Sequence, residues 1–367
     1  MKHPVRWIAA TIMGAGWLLA SVAAAQPDST GKKLIEMGWD EPDTRFLRDH
    51  ITQLQASPFD GCVFHVGYRK PDGSAGNFTW DLWGRRRFQP AELDTALADL
   101  KATRYGRFTE NFLRINVTPG NLDWFEDHAA VMANLQLAAR VARLGGCKGV
   151  LFDVEQYQGQ LFEYRSQTAA GTRSWTQVAA QVRARGREAM DALQAGFPGL
   201  TVFMTWGYSL PMHESIGGRK PLADCHYGLL APFVDGLFDR ASGATTIVDG
   251  HEISYSYRSR RQFTDKADSM RFGVMRMVAD PGQYRRHGAV SFGLWLDYDS
   301  NHRGWFPDSV QRNYFTPVAF DTVLNAALEQ TDRYVWVYGE QALWWTAAGG
   351  RLRLPAAYDS VLRRARR

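Results

Sequence analysis

Lys148-Gly-Val-Leu-Phe-Asp-Val-Glu-Gln-Tyr157 starts as a buried strand and ends on two carboxylates, Asp153 and Glu155. Residues two apart on a strand point the same way. Gly149, Leu151, Asp153 and Glu155 therefore share one face, and Val150, Phe152 and Val154 share the other. The second face is wholly apolar and suits a covering helix. The first turns acidic where the strand runs out. Chemistry placed at the C-terminal end of a strand is the layout of a parallel α/β barrel.

The flanking sequence fits that frame. Upstream, Asp40-Glu-Pro-Asp43 opens a helix with Leu47, Ile51 and Leu54 at helical spacing, and Phe59 to Val66 reads as the first strand. Pro90 starts a helix, and Asn111 to Val117 is the next strand. Asp123-x-x-Glu126 opens the helix that leads to the quoted stretch. Downstream, Ser174 caps a helix and Leu200 to Trp206 is a strand. Phe233 to Asp239 reads as a further strand, and a helical stretch runs from Arg258 to Val278. Ala289 to Asp297 is a strand, Thr316-Pro317 opens a helix, and Arg333 to Glu340 is the last strand. The sequence leaves open whether Phe78 to Trp83 holds another strand, and whether Thr245 to Tyr257 is loop, strand or helix start. Strands alternating with helices imply a parallel sheet. Polar residues recur at many strand ends: His65, Asn116, Asp153, Trp206, Asp239, Asp297 and Glu340. That recurrence favours a single eight-stranded (β/α)8 TIM-like barrel over an open sheet with one switch point.

Residues 1–25 read as a leader outside this domain. Lys2 and Arg6 precede an apolar run from Trp7 to Val22, and Ala23-Ala24-Ala25 follows as a small-residue cleavage pattern. That is the form of a secretory signal peptide, cut before Gln26, and it implies a secreted or periplasmic protein whose domain spans 26–367. An uncleaved anchor is the alternative, though the run is short for a bilayer span. The formal charge is +5 for the whole chain, and +3 without Lys2 and Arg6. A nearly neutral chain with short, scattered arginine clusters does not call for nucleic acid. Cys62, Cys147 and Cys225 are odd in number and far apart, so neither a disulfide framework nor a zinc site is expected. Without His-Glu-x-x-His or a phosphate-cradling glycine loop after a strand, no metal or cofactor is expected.

Two like charges on one face push one carboxyl toward the protonated form. A carboxylic acid that keeps its proton near neutral pH can protonate a leaving glycosidic oxygen. Glu155, nearer the mouth, is the expected general acid, and Asp153 the group that tunes it. Gly149 to Tyr157 also resembles the strand-four signature of family-18 chitinases, with Gly149, Asp153 and Glu155 matching. Lys148 and Leu151 stand where that family has two further acids. The resemblance implies that Glu155 is a proton donor and that Asp153 assists a substrate acetamido group. More broadly, the layout resembles secreted barrel glycoside hydrolases. In many retaining members the nucleophile comes from strand seven, which points to Asp297; Glu340, on one face with Tyr334, Trp336 and Tyr338, is a second candidate.

Sugar rings pack an apolar face on aromatics and offer hydroxyls to acceptors. Aromatic residues make up 13% of this chain, 13 of them Trp, enough to supply such platforms. His65, Asn116, Tyr157, Trp206, His251, Glu252, Tyr255, Trp295 and Trp336 are the expected substrate contacts. Three readings follow: a glycoside hydrolase acting on an oligo- or polysaccharide, a barrel that binds carbohydrate without catalysis, and a metal-dependent sugar isomerase or epimerase.

Overall fold

The computed structural model describes residues 31–300, 302–345 and 354–366. The expected leader at 1–25 lies outside the described residues. Among these residues no helix is long and apolar enough to cross a membrane. The strands are β1 Lys33–Gly38, β2 Gly61–Phe64, β3 Gly67–Arg69, β4 Ala75–Asn77, β5 Phe112–Asn116, β6 Gly149–Asp153, β7 Thr201–Met204, β8 Thr246–Asp249, β9 Gly288–Val290, β10 Phe292–Trp295 and β11 Tyr334–Gly339. The helices are α1 Thr44–Ala56, α2 Phe78–Asp81, α3 Asp94–Ala102, α4 Ala129–Leu144, α5 Trp175–Gly196, α6 Ser209–Glu214, α7 Leu230–Arg240, α8 Arg260–Arg271, α9 Pro281–His287, α10 Pro317–Gln330 and α11 Ala356–Ala365.

All strands but the β3–β4 hairpin form one parallel sheet in the order β10-β11-β1-β2-β5-β6-β7-β8-β9. β9 and β10 are one stretch of chain interrupted at Ser291, the first half pairing with β8 and the second with β11. The Ser291 amide donates to the Asp249 carbonyl at 2.9 Å, and its hydroxyl to the Tyr334 carbonyl at 2.8 Å. Nine segments therefore fill eight positions and the ring closes. The expected barrel is the observed fold. β6 is its fourth strand and β8 its sixth.

The two-residue alternation sets the layers. Ile35, Met37, Val63, Phe112, Leu151, Phe203, Val248, Tyr334 and Trp336 make a separate apolar cluster inside the ring. Val150, Phe152 and Val154 belong to the larger core between strands and helices. At Gly149 β6 lies close against β7: a Cβ there would lie 1.9 Å from the Thr201 carbonyl oxygen. Two helix starts near the strands are capped by side chains. Asp43 Oδ1 accepts the Phe46 amide at 2.7 Å at the start of α1, and Ser174 with Gln177 forms a capping box on α5.

Several expected elements need correction. The first barrel strand is Lys33–Gly38, which the sequence reading passed over, so β2 is the second. Phe233 to Asp239 is helix, inside α7. Phe233, Val234, Leu237 and Phe238 are spaced for one helical face and are all buried. Asp239 is therefore no strand end; it pairs with Arg183 and Arg187 of α5. Thr246–Asp249 supplies the sixth strand, and Phe78–Asp81 is a short helix. Asp123 and Glu126 close a turn of their own, and α4 starts at Ala129. Cys62, Cys147 and Cys225 are buried free thiols.

Candidate active site

A cleft of about 620 Å³ opens at the C-terminal ends of the strands. Its walls come from at least six barrel positions. Trp39 follows β1, His65 follows β2, and Arg114 lies on β5. Glu155 and Tyr157 follow β6, Glu252 and Tyr255 follow β8, and Trp295, Tyr338 and Glu340 end the last two positions.

Asp153 is the buried anchor beneath the cleft, with no exposed surface. It accepts Arg114 Nη2 at 2.6 Å and the Tyr157 hydroxyl at 3.1 Å. Its Oδ1 also accepts the Glu155 amide at 3.0 Å, which turns the chain and ends the strand. Arg114 donates through Nη1 to Glu41 Oε2 at 2.9 Å, and Glu41 Oε1 lies 3.2 Å from His65 Nδ1. Burial alone would raise the Glu41 carboxyl, but the His65 contact and the Arg114 charge outweigh it and lower the pKa. Burial likewise opposes the Arg114 charge, but Asp153 and Glu41 hold its pKa above the usual value.

Glu252 sits on the 3-10 turn Glu252–Ser256, just after β8. His251 before it has φ of 41°, a left-handed conformation that turns the chain back over the barrel mouth. Asp249 Oδ1 accepts the His251 amide at 3.2 Å, and its Oδ2 accepts the Ser209 amide at 2.8 Å, which fixes that turn. The Glu252 and Glu155 carboxyls line the same cleft, and each bears on the titration of the other. Burial, then the Asp153 charge, pushes the Glu155 pKa up to about 7. Burial, then the charges of Glu155 and Asp153, raises Glu252 well above the usual carboxylate value. The two carboxyls titrate as a pair, so across a range of pH they hold one proton between them. Tyr157 and Arg114 favour the ionised form of Glu155. Arg114 favours the ionised form of Glu252 as well, whereas the Tyr157 contact acts on Glu155 alone.

Three polar atoms around the cleft are buried without a protein partner: Glu252 Oε2, Trp295 Nε1 and Arg114 Nε. Buried polar groups normally have partners. These three atoms are desolvated polar groups packed behind the cleft surface. Aromatic faces surround them. Tyr255 stacks on Tyr338 with centroids 5.3 Å apart, and Trp295 meets Tyr338 edge-on at 5.6 Å. Trp80 packs against Tyr157 at 4.9 Å on the opposite wall.

Of the residues singled out in the sequence, the cleft gathers His65, Glu155, Tyr157, Glu252, Tyr255, Trp295 and Glu340, with Asp153 beneath. Others lie elsewhere. Asp297 is 2% exposed, and its carboxylate accepts the backbone amides of Glu340 at 3.1 Å and Ala342 at 2.8 Å. It is a clamp on the end of β11. Trp336 fills the barrel interior and donates to the Gly250 carbonyl at 2.8 Å. His251 is buried against Tyr257, with Nε2 2.9 Å from the hydroxyl. Buried Asn116 accepts the Thr118 amide at 3.1 Å, and Trp206 packs edge-on to Tyr227 at 5.6 Å. Sequence reasoning missed Trp39, Glu41, Trp80 and Arg114, and placed Tyr338 only on the face of Glu340. Arg114 did carry a signal: a lone charge in the apolar strand Phe112–Asn116. Among the described residues no three or more His, Cys, Asp or Glu side chains gather as a metal-holding group.

No family model matches the sequence, and no curated protein does. Solved structures that share its outline include the endocellulase of Pyrococcus horikoshii, in a complex with cellotetraose, at 10% identity and a TM-score of 0.47, covering 92% of both chains. A Bacteroides ovatus GH5 xyloglucanase, bound to a heptasaccharide, is similar at 11% identity and a TM-score of 0.46, covering 88% of this chain and 67% of that one. The 3-keto-D-glucoside 4-epimerase of E. coli is similar at 13% identity and a TM-score of 0.40, covering 91% and 99%. At these values the likeness assigns no chemistry to this chain.

Proposed function

We propose that this chain is a glycoside hydrolase, secreted or periplasmic, acting on an oligo- or polysaccharide. The observation that carries the reading is the Glu155–Glu252 pair, two carboxyls with raised pKa values lining one aromatic-walled cleft. Hydrolysis of a glycosidic bond needs one protonated and one ionised carboxyl in reach of the same bond. Glu252 holds the proton and Glu155 the charge. This reverses the role expected of Glu155 from the sequence, and it rests on the Tyr157 contact, which favours the ionised form of Glu155 and does not reach Glu252. Glu252 also takes the partner role expected of Asp297 or Glu340.

In the first step a Glu155 oxygen bonds to the anomeric carbon, the glycosidic C–O bond breaks, and the leaving oxygen takes the Glu252 proton. In the second, Glu252 takes a proton from water, whose oxygen displaces Glu155. Inverting enzymes separate their carboxyls by about 6.5–9.5 Å to seat a water between them, and retaining ones by about 5–5.5 Å. The two-step course with Glu155 as nucleophile is the retaining one. Arg114 and Asp153 hold Glu155 in place through the turn at its amide.

The test is Glu155→Gln and Glu252→Gln, each assayed on a panel of glycans and aryl glycosides. Each substitution is expected to lower kcat by at least about a thousandfold, the scale on which acid–base or nucleophile loss acts. Proton NMR of the first-formed product should show the starting anomeric configuration. Wild-type turnover kept in either variant, or an inverted first product, removes the assignment.

A further inference from the structure

Beside the cleft lies a second cavity of about 570 Å³, and the two share Trp39, Glu41 and His65 as a common wall. Trp39 is 72% exposed, unusual for so large an apolar side chain. It is nonetheless held. Its amide donates to the Gly339 carbonyl at 2.9 Å, and its indole N–H to the Tyr338 hydroxyl at 2.8 Å, which itself donates to Glu340 at 3.0 Å. Other parts of the second cavity's lining are equally fixed. Asp40 Oδ2 accepts the Trp344 amide at 2.8 Å, and the Trp345 indole donates to the Asp40 carbonyl at 2.8 Å. Phe46 and His50 stack there with centroids 4.2 Å apart, beside Arg45 and Asp49. A pinned, solvent-facing indole between two open spaces, each edged by carboxylates and other polar groups, is a plate with somewhere to lead on either side.

The geometry points to a glycan-binding groove that continues from the Glu155–Glu252 cleft across Trp39 into the second cavity. One sugar ring stacks on Trp39 while its neighbours fill the two spaces. Resting on the hydrolase reading above, this makes the substrate a chain of several sugars cut internally, not a disaccharide or a terminal unit. The indole supplies the apolar face of the subsite, and Asp49, His50 and Arg45 meet hydroxyls beyond it.

Isothermal titration tests this, with β-1,4-gluco-, β-1,4-xylo-, β-1,3-gluco- and chito-oligosaccharides of two to six units. The Glu155→Gln variant is used so that binding is read without turnover. In the series that binds best, the hexasaccharide is expected to bind at least tenfold more tightly than the disaccharide. Trp39→Ala, added to Glu155→Gln, removes that gain with length, and Trp39→Phe keeps most of it. His50→Ala lowers hexasaccharide affinity and leaves disaccharide affinity within twofold, which covers the case of a Trp39→Ala protein that does not fold. Equal affinity for two and six units, a length gain untouched by Trp39→Ala and His50→Ala, or no binding by any hexasaccharide overturns the groove. The length gain with no hydrolysis of any glycan by the unsubstituted protein sinks the hydrolase reading and leaves the groove. Hydrolysis confined to terminal units, without a length gain, does the reverse.

Discussion

At the scale of single residues, the site rests on charges placed where water is scarce. Asp153 is wholly buried and leans on Arg114. Removing one partner of a buried pair strands the other, at a cost of about 3–5 kcal/mol. Arg114→Ala should therefore lower thermal stability markedly as well as activity, measured by calorimetry and by kcat/KM. Glu155 behaves in the opposite sense. Its folded pKa of about 7 lies above the ordinary 4.5, so folding binds its proton. That contribution is complete below about pH 4.5, falls as pH rises to 7, and is constant beyond. Glu155→Gln, which cannot ionise, should raise the melting temperature at pH 8 and leave it nearly unchanged at pH 4. The gain at pH 8 should be about 2–4 °C or more. Activity has the complementary profile. It should rise as pH passes about 7 and Glu155 ionises, then fall at higher pH as Glu252 loses its proton. A kcat/KM that declines monotonically from pH 5 to 8 would return the proton to Glu155.

At the scale of elements, Asp297 shows how a strand-end carboxylate can serve structure alone. Its oxygens hold the backbone of Glu340 and Ala342, and so the end of β11 that carries Glu340 to the rim. Asp297→Asn should cost about 1–3 kcal/mol of stability and reduce kcat less than tenfold, whereas Glu155→Gln should reduce it at least about a thousandfold. Equal losses in the two variants would restore Asp297 as a reacting group. The same contrast explains what the sequence made legible. β6 could be read because Val150, Phe152 and Val154 are apolar on one face and Leu151 on the other, with acids only at its end. β1 could not, since Glu36, 1% exposed and close to the Asp40 carboxyl, interrupts the apolar run of Lys33–Gly38. With β1 went Trp39 and Glu41. Phe233 to Asp239 reads as a strand because it is short and apolar, whereas in α7 Asp235 leaves the buried face to accept the Tyr208 hydroxyl at 2.6 Å. Glu252 was noticed, but its pairing with Glu155 joins segments about a hundred residues apart. Only the closed ring brings them to one cleft.

At the scale of the whole molecule, closure of the ring depends on places where backbones nearly touch. Gly149→Ala puts a methyl into the Thr201 carbonyl and forces β6 from β7. Overpacking of this kind costs about 1–3 kcal/mol or more, and here it also shifts Asp153. Soluble yield and melting temperature should both fall, with activity lost in step. The interruption at Ser291 has a different outcome. There the strand leans first toward β8, then toward β11, and a hydroxyl carries part of the closure. The cylinder thus has a seam. Its amides from Gly288 to Trp295 should exchange with deuterium sooner than those of Phe112–Asn116 across the ring. If the barrel breathes, it opens along that line, beside the indole of Trp295 that faces the cleft.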